Sequence, residues 1–135
     1  MALPARMPDV IAVVNSNDDL VGVLRSALVK EGFLVATAHI ADFKAGNQDF
    51  GVFLRIHTPT VVIYDIAIPY DENWTFLQTL RRLPDAERCT FVVTTVNKRA
   101  LDQRVGSTEA IEIQGGRADD LDPVIEEVRK IVRSR

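Results

Sequence analysis

Asp65 is the residue of this chain whose position most needs a chemical reason. It closes the apolar run VVIY at residues 61–64 and is followed four residues later by Pro69, in the string DIAIP. An ionised carboxylate directly after a buried run carries a desolvation cost unless a cation or hydrogen-bond donors compensate it. The position therefore suits a nucleophile, a metal ligand or a group that turns the chain through backbone hydrogen bonds. Other polar clusters follow other apolar runs: Asn15, Ser16, Asn17, Asp18 and Asp19 after VIAVV, and Thr94 and Thr95 at the end of TFVVTT. Asp71 and Glu72 stand six and seven residues after Asp65, a spacing that matches no recognised acid pair for hydrolysis.

The elements that must position these groups alternate between short β-branched runs and segments of helical period, which predicts βα units around a parallel sheet. Strands are expected at residues 10–14, 33–38, 60–64, 90–95 and 110–114. The first helix follows Asn17 and Asp18 as N-caps, carries Leu20, Val23, Leu24, Ala27 and Leu28 on one face, and stops at Gly32. Residues 41–48 are ambiguous, and Phe50, Phe53, Leu54 and His57 space like a second helix ended by Pro59. IAIPYDEN reads as a linker to a third helix at 74–82, and a short fourth is expected at 98–105. Asp122 reads as an N-cap with Pro123 at the first position of the last helix, whose apolar face is Val124, Ile125, Val128, Ile131 and Val132.

Five strands and five helices give a single-domain, flavodoxin-like (βα)5 sandwich over residues 10–135, with the first and third strands adjacent and residues 1–9 a loose lead-in. Ligands of such sheets sit beyond the carboxyl ends of the strands, which is where Asn15, Ser16, Asp65 and Thr95 fall. The chain stops soon after its last helix, which fits either a single-domain protein or an excised piece.

Composition narrows the chemistry further. The chain has 135 residues, 47% hydrophobic and 26% charged, with a formal charge of -3, so no global field steers it onto nucleic acid or anionic lipid. The apolar runs are far short of the roughly 20 residues of a membrane helix. A single cysteine, Cys89, forms no internal disulfide and fits a reducing cytoplasm, and His39 and His57 are too far apart in sequence to announce a metal cluster. No cofactor is expected. A flavin or nucleotide would want glycines or hydroxyls around its phosphate, whereas Asn-Ser-Asn-Asp-Asp has no glycine and two acids. Arg129, Lys130 and Arg133 are interleaved with Glu126 and Glu127, as on a solvated mixed-charge face. Trp74, Phe76 and Leu77 read as packing groups, His57 as a helix-end residue and Cys89 as a small buried one.

An Asp ending the third strand with Pro four residues on, a hydroxyl residue ending the fourth strand and a fivefold βα alternation resemble the receiver domain of bacterial response regulators, from about Val10 to Val132. The resemblance implies that Asp65 matches the aspartate that accepts a phosphoryl group from a sensor histidine kinase. Thr95 matches the hydroxyl residue that senses it, with Thr94 one register away. Receivers also carry an acidic pair after the first strand, and here those positions are Asn15 and Ser16. Their lysine after the fifth strand falls at Gly116, beside Arg117, when counted from the last helix, or nearer Ile113 when counted from Gly106. The aromatic that precedes this lysine by two residues falls on Gln114. With one carboxylate in place of three, the resemblance implies weak metal binding unless Asp18 or Asp19 substitutes. It implies a degenerate phosphorylation site, with no resident metal, in a domain of a two-component phosphorelay. That domain would act through a protein partner, a sensor kinase or downstream effector, and a homodimer is compatible with it. The alternatives are a working phosphoacceptor at Asp65 and a flavodoxin-like nucleotide- or flavin-binding protein.

Overall fold

Strand order in the central sheet is β2-β1-β3-β4-β5, all parallel. The computed structural model describes residues 8–114 and 118–135, so Gly116, Arg117 and most of the lead-in lie outside the described residues. Along the chain run β1 (Val10–Asn15), α1 (Asp18–Lys30), β2 (Leu34–His39), α2 (Ile40–Lys44), α3 (Phe50–His57), β3 (Val61–Asp65) and α4 (Tyr70–Arg81). These are followed by β4 (Thr90–Thr95), α5 (Lys98–Val105), β5 (Ile111–Glu112) and α6 (Asp122–Arg133). The flavodoxin-like order with β1 beside β3 follows from right-handed crossovers between strands that must be covered on both faces.

Side-chain alternation divides the core in two. Ile11, Val13, Val61, Ile63 and Val92 pack under α1 and α6 with Leu24, Leu28, Val124 and Val128. Ala12, Val14, Val62 and Tyr64 pack on the other face with Phe43, Phe50, Phe53, Leu77 and Leu101. Phe43 meets Phe50 and Phe53 edge to face, with centroids 5.1 and 5.6 Å apart. β1 and β3 are buried almost throughout, as expected of central parallel strands.

Four elements depart from the sequence expectation. The ambiguous stretch after β2 holds a separate short helix, α2, whose N-cap His39 accepts the Ala41 N–H at its ring nitrogen Nδ1. The expected linker before the third helix is already helical from Tyr70: Pro69 has extended backbone and needs no N–H at a helix start, and Asp71 and Glu72 suit the first turn. β5 is two residues long instead of five. Asp122 is the first helical residue of α6, not its N-cap, because a 3-10 turn at Ala118–Leu121 runs directly into the helix.

Candidate functional site

β3 delivers Asp65 to the carboxyl edge of the sheet, where the residue is 6% exposed. The register sets it opposite Thr94 of β4, whose hydroxyl donates to Asp65 Oδ1 at 2.8 Å. Burial holds the Asp65 carboxyl above the ordinary carboxylate range, and the Thr94 bond opposes this with a smaller effect. Among the described residues no Lys, Arg or His reaches salt-bridge distance of it. Tyr64, next to it and equally buried, has its phenol pushed well above the usual range, first by burial and then by the Asp65 charge.

Thr95 does not touch Asp65. Neighbouring strand residues face opposite sides, so Thr95 turns to the other face, where its hydroxyl donates to the Ile66 carbonyl at 2.8 Å. The hydroxyl assigned to Thr95 from the end of the strand is thus supplied by Thr94, the alternative one register away. Asn15 ends β1 on the same face as Asp65 and is 2% exposed, but its Oδ1 accepts from the backbone N–H groups of Ser16 and Asn17 at 2.7 and 2.9 Å. Its oxygen is engaged in shaping its own turn.

Asp65 and Ser16 border a cavity of about 180 Å³. Asn15 and Thr95 do not line it, so the expected four-residue pocket is only partly assembled, and Gly116 lies outside the described residues. Two residues without a sequence signal join the cavity wall: Lys44 of α2 and Asn73 of α4. Lys44 Nζ donates to Asn73 Oδ1, while Asn73 Nδ2 donates to the Ala67 carbonyl at 2.8 Å and fixes the loop after β3. Lys44 sits in the stretch that sequence reading leaves ambiguous and Asn73 in the supposed linker, which is why neither was marked. The Ile68–Pro69 peptide bond in this loop is cis.

The donor set at this cavity is a poor one for a magnesium ion. Asp65 is the one carboxylate on the cavity wall among the described residues, and the Asn15 side-chain oxygen after β1 is committed to backbone amides. Asp18 and Asp19 offer no substitute: they occupy the first turn of α1 and line a separate groove against α6. His57 ends α3, as expected of a helix-end residue, with its ring 4.7 Å from that of Phe53, and Trp74 packs half-buried against the core, as expected of a packing residue. Asp71 pairs with Arg104 on α5.

The sequence matches no family model and no curated protein. Solved structures of similar architecture are found. A sensor protein from Polaromonas sp. JS666 is 18% identical, with a TM-score of 0.66 over 94% of this chain and 98% of its own. A response regulator from Thermotoga maritima, also 18% identical, gives 0.65 over 94% and 99%. The chemotaxis protein CheY4 of Vibrio cholerae, 17% identical, gives 0.62 over 90% and 99%. Nearly complete coverage in both directions at such low identity is a likeness of fold, and the fold is that of CheY-like receiver domains.

Proposed function

We propose that this chain is a receiver-like signalling domain with a degenerate phosphorylation site, acting through contacts with a protein partner in the cytoplasm. The partner is a sensor kinase or a downstream effector of a two-component phosphorelay, and it docks on the surface formed by α5, β5 and α6. The donor set around Asp65 carries this reading: one hydroxyl, no second carboxylate and no cation within pairing distance among the described residues. Phosphoryl transfer to a carboxylate depends on cations at the transferring oxygens, and a phosphorylated Asp65 would gain little differential contact with which to bias a conformational equilibrium.

The second reading, a working phosphoacceptor, is favoured by the burial of Asp65 at the strand end, its Thr94 bond, and Lys44 on the shared cavity wall. The solved TrrA protein of Thermotoga maritima, with 18% identity and a TM-score of 0.64, is described in complex with Mg2+ and BeF. Intact mass after incubation with acetyl phosphate and magnesium separates the two readings. No phosphoryl adduct is expected, and Asp65→Asn and Asp65→Ala should keep partner binding. An adduct absent from Asp65→Asn, with loss of binding in both variants, would establish the second reading instead.

A further inference from the structure

β4 has an edge that the fold leaves open. In a parallel ladder the N–H and C=O of one residue point to the same neighbouring strand, and those of the next residue point to the other. Thr90 N–H bonds to Thr60 and Thr94 C=O accepts from Ile66, so even-numbered residues of β4 face β3. Thr95 C=O accepts from Ile113 on the opposite side, where Phe91 and Val93 must also point. β5 pairs only with Thr94 and Thr95. Among the described residues the N–H and C=O of Phe91 and the N–H of Val93 have no backbone or side-chain partner.

The chain's own segment borders this edge without pairing with it. Continuing the register from Ile111 opposite Thr94 would set Ala110 against Val93 and Thr108 against Phe91. Instead, Thr108 donates its N–H and hydroxyl to Asp102 Oδ1 at 3.2 and 2.6 Å, and Lys98 Nζ donates to the Thr108 carbonyl at 2.9 Å. A cavity of about 620 Å³ is lined by residues 90–93 and by the chain's own residues 107–111, Glu109 included, with Trp74 and Arg81 of α4 and Glu127 and Ile131 of α6 completing its walls. The Arg81 guanidinium lies 5.4 Å from the centre of the Phe91 ring, and Glu127 has only a 4.0 Å approach from Lys130.

We propose that the free edge of β4 at Phe91 and Val93 is a strand-addition site for an extended peptide of a partner protein, carrying an acidic side chain toward Arg81 and a basic one toward Glu127. Unpaired strand edges template exactly such main-chain pairing, which supplies affinity while alternate side chains supply selectivity. The successive side chains of an added strand point to opposite faces, so the opposite charges of the two walls select opposite charges on its two faces. A second copy of the chain fits less well. Pairing two β4 edges antiparallel about a two-fold normal to the sheet would set Arg81 beside Arg81 and Glu127 beside Glu127, a like-charge arrangement. The site is independent of the Asp65 cavity and of any phosphoryl chemistry there.

The probe is a blocked eight-residue peptide with Glu and Leu on one face and Lys and Val on the other, compared with a neutral peptide in which Thr replaces Glu and Lys. Titrated into the full 15N-labelled chain, the charged peptide is expected to shift the Phe91 and Val93 amides saturably and slow their exchange with solvent. Val93→Pro removes an edge donor without touching the β3 ladder, as proline is tolerated at open edges, and should weaken binding by about five- to tenfold, the value of one hydrogen bond. The double variant Arg81→Ala/Glu127→Ala leaves the edge intact and should bind charged and neutral peptides equally, so the proposal stays testable even where the proline variant fails to fold. Slow exchange of the Phe91 and Val93 amides in the peptide-free protein would mean that the chain pairs its own edge and would overturn the proposal. So would unshifted amides at saturating peptide concentrations, or an unchanged charge preference in the double variant.

Discussion

Asp65 sets the sign of its own effect on stability. Burial raises its carboxyl pKa in the folded state, so the folded protein binds that proton more tightly than the unfolded chain does. Such a group favours folding below its unfolded pKa, and the contribution is lost as pH rises through the folded value. Asp65→Asn removes the charge and keeps an acceptor for the Thr94 hydroxyl. The variant is expected to be more stable than the parent near neutral pH, with the gap closing at about pH 3, below the ordinary carboxylate range. Urea titrations at both pH values measure this, and a variant less stable at neutral pH would reveal a compensating cation. The Gln78 side chain poses a simpler case: its Nε2 is buried without a hydrogen-bond partner among the described residues. Gln78→Met is predicted to be neutral or stabilising by up to about 1 kcal/mol in the same titration, since an unmatched buried donor is removed. At this scale the sequence displayed Asp65 through the apolar run before it. It could not display that Thr94, not Thr95, meets it, because that choice depends on the β3–β4 register, a relation between residues distant in the chain.

Helix ends show which local signals were strong enough to read. Gly32, at φ 93°, follows the C-cap Glu31; its N–H donates to Val29 and that of Phe33 to Leu28, closing α1 in a Schellman arrangement. Nothing obstructs a Cβ at Gly32, so Gly32→Ala is expected to cost only the left-handed backbone strain, about 1 kcal/mol. Thr58 reverses the case. It closes α3 at φ 43° with a β-branched side chain, in a conformation that glycine adopts freely. Thr58→Gly is therefore expected to stabilise by a fraction of that amount, offset by the unfolded-state entropy of glycine, and thermal melts of the two variants should move in opposite directions. Glycine, proline and cap residues were legible because their effects are local. β5 loses its expected first residue, Ala110, whose N–H donates to the Thr108 hydroxyl at 3.3 Å, a contact that carries no periodicity. α4 begins earlier than expected because Pro69, inside the string read as a linker, stands at the helix start.

Across the whole molecule, two cores share one sheet. Val13 and Ile63 project to the α1–α6 face, while Val14 and Tyr64, their chain neighbours, project to the α3–α4–α5 face, all of them 0–1% exposed. β1 and β3 therefore lose half their burial if either helical layer detaches, and strands so apolar cannot stand with one face in water. The alternation of hydrophobic runs made this architecture the most legible property of the sequence, since it repeats at every strand. It predicts that the molecule unfolds as a single cooperative unit. Val128 of α6 is fully buried and belongs to the α1–α6 core alone. Val128→Ala removes two methyl groups from that core and is expected to cost about 2 kcal/mol. If unfolding is cooperative, the loss appears equally in the slowest-exchanging amides of β1 and β3 and in those of α3, which packs on the far face and never touches Val128. Hydrogen exchange resolved by residue measures this directly. A loss confined to α6 and α1, with α3 amides unchanged, would mean that the two layers open separately and that the sheet tolerates one uncovered face.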